Sequence, residues 1–319
     1  MKKVRNLNGF DISQLVGNVY VIEINKMRPY LDRTINLGEN KLKVVSLINM
    51  KGGVAKTTLA INVADCLVQR HAAKVLLIDV DPQFNATQCL MSPDKYEEHI
   101  KNKSDTILNV FDRSQRVVAG SVSNSGKITP KQLENINLVN IKNNFDLLPG
   151  NLELYRLEMA PGGGRENRLK SYIQKLGDKY DYVVIDTPPT PSVWMTSALI
   201  ASNYYLIPVK ADPISLTGID LLRSIIEEKE ENFDLDLKCA GLVLTLTEAN
   251  TVVLRNAKAN LTKDKYWSKY LYPVTLPKRT DIAKGQLDQI HILDSDNYEA
   301  KTAITAITTE LINRVSQHE

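Results

Sequence analysis

The chain has 319 residues, 43% of them hydrophobic, which is enough to bury a substantial core. Its 40 Lys and Arg against 37 Asp and Glu leave a net charge of only +3, so overall charge does not imply a nucleic-acid partner and only its distribution can. No stretch reaches ~18 consecutive apolar residues, the start shows no signal-peptide apolar core, and Cys66, Cys89 and Cys239 form no C-x-x-C pair. Membrane insertion, a disulfide framework and a zinc or cluster site are therefore not expected, and a cytoplasmic protein is.

Residues 1–42 carry more Lys and Arg than Asp and Glu and include a strand-like run from Asn18 to Ile24. The segment is short for a helix-turn-helix domain, and a β-hairpin or an oligomerisation arm is the expectation. Lys43 to Asn49 reads as a buried strand and runs into Lys51-Gly52-Gly53-Val54-Ala55-Lys56-Thr57-Thr58. A glycine-rich turn between strand and helix turns backbone N–H groups into one concavity, to which the following helix adds its positive dipole end. Such a cradle suits polyphosphate. Lys56 is placed to neutralise β- and γ-phosphates, Thr57 to ligate Mg²⁺, and Thr58 to reach the α-phosphate. Ala55 stands where the phosphate-loop pattern has glycine, and a positive φ there would cost on the order of 1–3 kcal/mol.

A helix is expected from Thr58 to Arg70. Lys74 to Gln83 then reads as a parallel strand ending in two carboxylates, Asp79 and Asp81, ahead of Asn85-Ala86-Thr87. Carboxylates at the C-terminal end of a strand in an open α/β sheet lie where ligands bind. Ser92 to Asn144 is polar and looks inserted, with a mobile loop expected at Gly120 to Lys127. Phe145 to Gly150 reads as a strand. Pro161 to Arg165 is a helix-entry turn, in which Gly163 is more simply part of a loop than of a second phosphate cradle. Tyr180 to Asp186 is another buried strand, ending in an aspartate before Thr187-Pro188-Pro189; it resembles a Walker B strand, which would imply a carboxylate that holds Mg²⁺ through water.

Tyr204 to Val209, a helix from Pro213 to Glu231, and Cys239 to Thr245 continue the alternation of a doubly wound, mostly parallel α/β sheet. Leu271 to Pro277 reads as a late strand. Between Thr251 and Lys284 eight bases stand against two acids, and Arg255, Lys258, Lys263, Lys278, Arg279 and Lys284 are candidates for DNA-backbone contact. A solvated helix face is the plainer reading of such a run. Tyr298 to Val315 places Ala300, Ala303, Ile304, Ile307, Leu311 and Val315 on one face of a closing helix.

The lysine ahead of the glycine pair, the D-x-D-P-Q-x-N-A-T segment from Asp79 and the strand ending in Asp186 together resemble the ParA/MinD class of deviant Walker A P-loop ATPases, over about residues 43–319. The resemblance implies ATP and Mg²⁺ as ligands, with Gly52, Gly53, Val54, Ala55, Lys56, Thr57 and Thr58 around the phosphates. It implies that Lys51 reaches the partner's nucleotide in an ATP-dependent homodimer. Asp81 would orient the attacking water, Thr57, Asp79 and Asp186 would serve the metal, and Pro277 and Lys278 would lie near the adenine. A ParA-type partition ATPase further implies nonspecific DNA, a ParB-like centromere-binding partner and a nucleoid-associated location. Only four residues follow Val315, which leaves no room for the amphipathic membrane helix of MinD-type relatives, so partition on DNA is expected over a membrane role. Two alternatives stay open: a nucleotide-gated scaffold or positioning ATPase for another cargo, and a small-molecule kinase or ligase of the dethiobiotin synthetase kind.

Overall fold

The computed structural model describes residues 42–113, 116–117, 127–128, 130–159 and 163–317. The expected arm at residues 1–42 lies outside them apart from Leu42, as does the loop from Gly120 up to Gly126. Residues 42–319 form one compact unit. Its strands are β1 (Lys43–Leu47), β2 (Val75–Asp79), β3 (Arg116–Val117), β4 (Lys127–Ile128), β5 (Val139–Lys142), β6 (Phe145–Leu148), β7 (Tyr182–Asp186), β8 (Tyr204–Lys210) and β9 (Lys238–Thr245). Seven form one sheet in the order β5-β6-β2-β7-β1-β8-β9, and β3 and β4 make a separate antiparallel pair. Every pairing in the large sheet is parallel except that of edge strand β5 with β6.

The central strands β1, β2 and β7 are buried along their whole length. Such continuous apolar runs are what a parallel sheet covered on both faces requires. The helices are α1 (Lys56–His71), α2 (Asn85–Leu90), α3 (Pro93–Lys101), α4 (Ile107–Phe111), α5 (Leu154–Met159), α6 (Arg168–Leu176), α7 (Val193–Ala201), α8 (Pro213–Phe233), α9 (Val252–Lys263), α10 (Thr280–Leu287) and α11 (Tyr298–Ser316). On one face α1 packs with α11, whose Ala300, Ala303, Ile304, Ile307, Leu311 and Val315 are buried as their spacing predicts. Opposite them α4, α6 and α7 cover β2 and β7, while α7, α8 and α9 cover β8 and β9.

Among its described residues, the segment from Ser92 to Asn144 supplies α3, α4 and the antiparallel edge strand β5. The late strand expected at Leu271 to Pro277 is reduced to two isolated bridges, Leu271 to Leu242 and Pro277 to Thr247. Pro273 and Pro277 have no N–H to offer a ladder, which accounts for the interruption.

Candidate functional site

Strand register builds the site. Leu47 on β1 and Asp79 on β2 both pair with Asp186 on β7, so three strands end level and set two carboxylates beside the loop that leaves β1. Three side chains fix that loop. Asn49 donates to the Pro208 carbonyl (2.7 Å) and accepts the Lys51 amide (2.8 Å), and Thr245 donates to the Val54 carbonyl (2.9 Å). Thr187 anchors the far side by donating to the Leu47 carbonyl.

Gly53 has φ 67° and Ala55 φ 60°. Ala55 thus takes the left-handed conformation that favours glycine, at a cost of roughly 1–2 kcal/mol. That conformation turns the chain into α1, whose first residue, Lys56, is buried. The Lys56 ammonium donates to the Lys51 carbonyl (3.2 Å). Burial pulls its pKa below the usual lysine range, although Asp186 and Asp81 oppose the shift.

The Thr57 hydroxyl donates to Asp186 Oδ2 (2.7 Å), while Asp186 Oδ1 is buried and has no hydrogen-bond partner. Asp186 is raised to about 7, first by burial and also by the charge of Asp81, against the Thr57 hydrogen bond and Lys56. Asp81 is also raised, again first by burial, against the Gln83 amide and Lys56. A buried acid with a bare oxygen beside a threonine hydroxyl is a hard-oxygen donor set, and it fits Mg²⁺, which takes one or two protein oxygens and fills its remaining positions with phosphate and water.

Asp79 sits differently. Its Oδ2 accepts from both the amide and the hydroxyl of Thr87 (2.8 Å each), and its Oδ1 accepts from the Asp81 amide (3.2 Å). Thr87 also accepts from the Gly150 amide (2.8 Å), and a Cβ on Gly150 would come within 3.0 Å of the Asp79 carboxylate. Asp79 is therefore locked into the loop that carries Asp81, and burial followed by the charge of Asp186 pushes its pKa well up. Phe84, at φ 43°, closes this loop by stacking on Tyr96 with ring centroids 5.0 Å apart.

Lys51, Lys56, Thr57, Asp79, Asp81 and Asp186 are thus gathered at one rim of the sheet. Thr58 meets Gln286 (3.0 Å), which brings α10 to the loop. Pro277 and Lys278 continue from β9 through the Lys278 amide to the Thr247 carbonyl (2.9 Å). Of the candidate DNA contacts, Lys278 pairs with Glu248 (2.8 Å) and Arg279 with Glu299, whereas Arg255, Lys258 and Lys263 share α9 and Lys284 lies exposed on α10. Sequence reasoning missed Asn49, Asp212, Thr245 and Gln286. For Asp212 a signal existed, since it follows the C-terminal end of a parallel strand.

A second cluster lies elsewhere. Asp65 on α1, His291 and Asp294 bring potential metal-ligating atoms within 4.8 Å of one another. The Lys142 ammonium already stands among them, paired with Asp65, 3.1 Å from His291 Nδ1 and 3.7 Å from Asp294. Its cation is the protein's own.

The AAA-domain family profile matches residues 42–239. The chain is 28% identical over 249 residues to the sporulation initiation inhibitor protein Soj of Bacillus subtilis, covering 76% of this chain and 87% of that one. A plasmid partition protein of Borrelia burgdorferi bound to AMPPNP superposes with TM-score 0.64 at 24% identity, covering 88% of this chain and all of that one. Cobyrinic acid a,c-diamide synthase of Mycobacterium smegmatis, with bound ADP and magnesium, gives TM-score 0.64 at 23% identity over 87% of this chain and 97% of that one. Both likenesses are of fold. Among the described residues, no helix is long and apolar enough to cross a membrane.

Proposed function

Because this chain belongs to the ParA-type family of P-loop partition ATPases, we propose that it binds ATP with Mg²⁺, dimerises on it, holds DNA nonspecifically in that state, and lets go on hydrolysis. The observation that carries this reading is the convergence of Lys56, the Thr57–Asp186 pair and Asp81 on one phosphate loop, with Lys51 at its rim. Backbone amides of Gly52 to Thr58 cradle the phosphates, and Lys56 neutralises the charge that spreads over them during transfer. Mg²⁺, when bound, supplies Lewis-acid stabilisation of the phosphate oxygens. Thr57 and Asp186 are its holders, and Asp79 acts one step back by fixing the loop of Asp81.

Asp81, whose charge faces Lys56, positions the water for in-line attack. Lys51 lends its amine to the neighbour's nucleotide. Arg255, Lys258 and Lys263 on α9, with Lys284, are the DNA contacts, while Lys278 and Arg279 are engaged by Glu248 and Glu299 and contribute less. A ParB-like protein would stimulate turnover. This reading places the protein in the cytoplasm on the nucleoid, with residues 1–42 as an appendage to the ATPase domain.

A nucleotide-gated scaffold is the second reading, favoured by the left-handed Ala55. Light scattering with ADP, with ATP, and with ATP plus mixed-sequence DNA tests the proposal. The expected result is a monomer, a dimer and a DNA-bound dimer in turn. An Asp81→Ala variant should stay on DNA with ATP. A monomer under all three conditions contradicts the proposal, and a metabolite-dependent release of ADP without DNA would favour a small-molecule ligase.

A further inference from the structure

Lys51 already has an acidic neighbour on its own protomer. Its ammonium lies 3.2 and 3.5 Å from the two carboxylate oxygens of Asp212, and Lys210 Nζ lies 3.8 Å from the same carboxylate. The sheet explains the meeting. β8 runs parallel to β1, so Asp212, just past the end of β8, and the loop that follows β1 emerge at one rim. Asn49 ties the loop to Pro208 and turns the Lys51 amide back, while the Asp212 amide folds onto the Lys210 carbonyl (2.7 Å). The pair is part-buried, with the lysine side chain 39% and the aspartate 23% exposed.

We infer that Asp212 is a positioning residue that holds the Lys51 amine against its own protomer and must surrender it before the amine can reach a neighbour's nucleotide. The inference rests on the proposed role of Lys51 in a nucleotide-bridged dimer. A partly exposed ion pair biases such an equilibrium by only a small factor, which suits a hold that a triphosphate, carrying more negative charge than one carboxylate, can overcome. Dimerisation then acquires a threshold set by Asp212. Asp212 also directly precedes α8, where an acid favours the helix N-terminus. Asparagine suits the position before a helix about as well as aspartate, so Asp212→Asn removes the charge and keeps that preference.

Two readouts on the full chain decide the matter. The first is the rate at which Lys51 is acylated by an N-hydroxysuccinimide ester in the nucleotide-free protein, followed by peptide mass spectrometry. Asp212→Asn should raise that rate several-fold and leave distant lysines unchanged; an unchanged Lys51 rate overturns the inference. The second is the ATP concentration for half-maximal dimer formation, which should fall about 3- to 5-fold in Asp212→Asn. That shift should vanish when Lys51→Gln is also present, and a shift that persists there overturns the positioning role. Faster acylation with no dimer in either protein would uphold the hold on Lys51 and defeat the dimer, whereas a dimer with unchanged acylation would do the reverse.

Discussion

Helix α1 touches two buried carboxylates that the fold treats in opposite ways. At its first turn Thr57 meets Asp186, whose other oxygen has no partner and whose pKa burial drives up to about 7. Two turns on, Asp65 is fully buried too, but Lys142, His291 and Gln69 surround it. Burial alone would raise Asp65, yet the hydrogen bonds and charges of His291 and Lys142 outweigh it and bring the pKa below the usual carboxylate value. The protein thus neutralises a charge where it needs only structure. Where it leaves a buried carboxylate oxygen without a partner, a ligand is expected to complete the site.

Lysine substitutions should separate the two regions most widely. Lys56→Ala should weaken nucleotide binding more than about 100-fold with little change in stability, because Lys56 faces the phosphate cradle. Lys142→Met should leave nucleotide affinity intact and cost about 2–3 kcal/mol, because it strips a buried carboxylate of its cation. Fluorescent-nucleotide titration and urea unfolding read the two effects, and a Lys142 variant that loses nucleotide first would erase the distinction.

Asp186→Asn should stabilise the ligand-free protein at pH 8 by about 1–3 kcal/mol and abolish the extra stability that Mg²⁺ and nucleotide confer. The sign follows from its raised pKa. The folded state keeps the proton between the unfolded value, 3.8, and about 7, so the ligand-free protein loses stability as pH rises through that window. Thermal melts from pH 5 to 8 should show this slope in the natural protein and a shallower one in the variant, where the raised Asp79 and Asp81 remain.

For Asp65 the slope reverses. Its lowered pKa adds stability above the unfolded value of 3.8 that is lost as pH falls through the folded value, so Asp65→Asn should shorten the acid limb of the stability curve. The smallest effect belongs to Ala55→Gly. It relieves a left-handed alanine but frees the unfolded chain, for a net gain of about 0.5–1 kcal/mol. Faster turnover in that variant would show that the strain also limits the chemistry and would favour the scaffold reading.

The strands and the phosphate loop were legible because apolar runs ending in Asp79, Asp81 and Asp186, and glycines ahead of Lys56, are local patterns. What sequence left hidden is the pairing of residues far apart. Asp65 looks like an ordinary polar residue in a helix until β5 brings Lys142 to it, and the polar run containing β5 reads as insertion because its strand is half-exposed and antiparallel. Asp79 reads as a support of the metal shell, and the fold adds that Thr87 and the Asp81 amide take its oxygens. Asp212 sits 161 positions from Lys51, which no spacing rule connects.

The central claim is that Lys51 works on a neighbour's nucleotide, and mixing two inactive variants tests it most directly. Lys51→Ala and Asp81→Ala should each hydrolyse ATP poorly alone. In a mixed dimer, the site of the first keeps its own Asp81 and receives Lys51 from the second. Equal mixing should therefore restore about one quarter of the natural turnover, since half the dimers are mixed and each has one complete site. Turnover that stays at the level of the separate variants, with mixed dimers demonstrably present, would contradict the account.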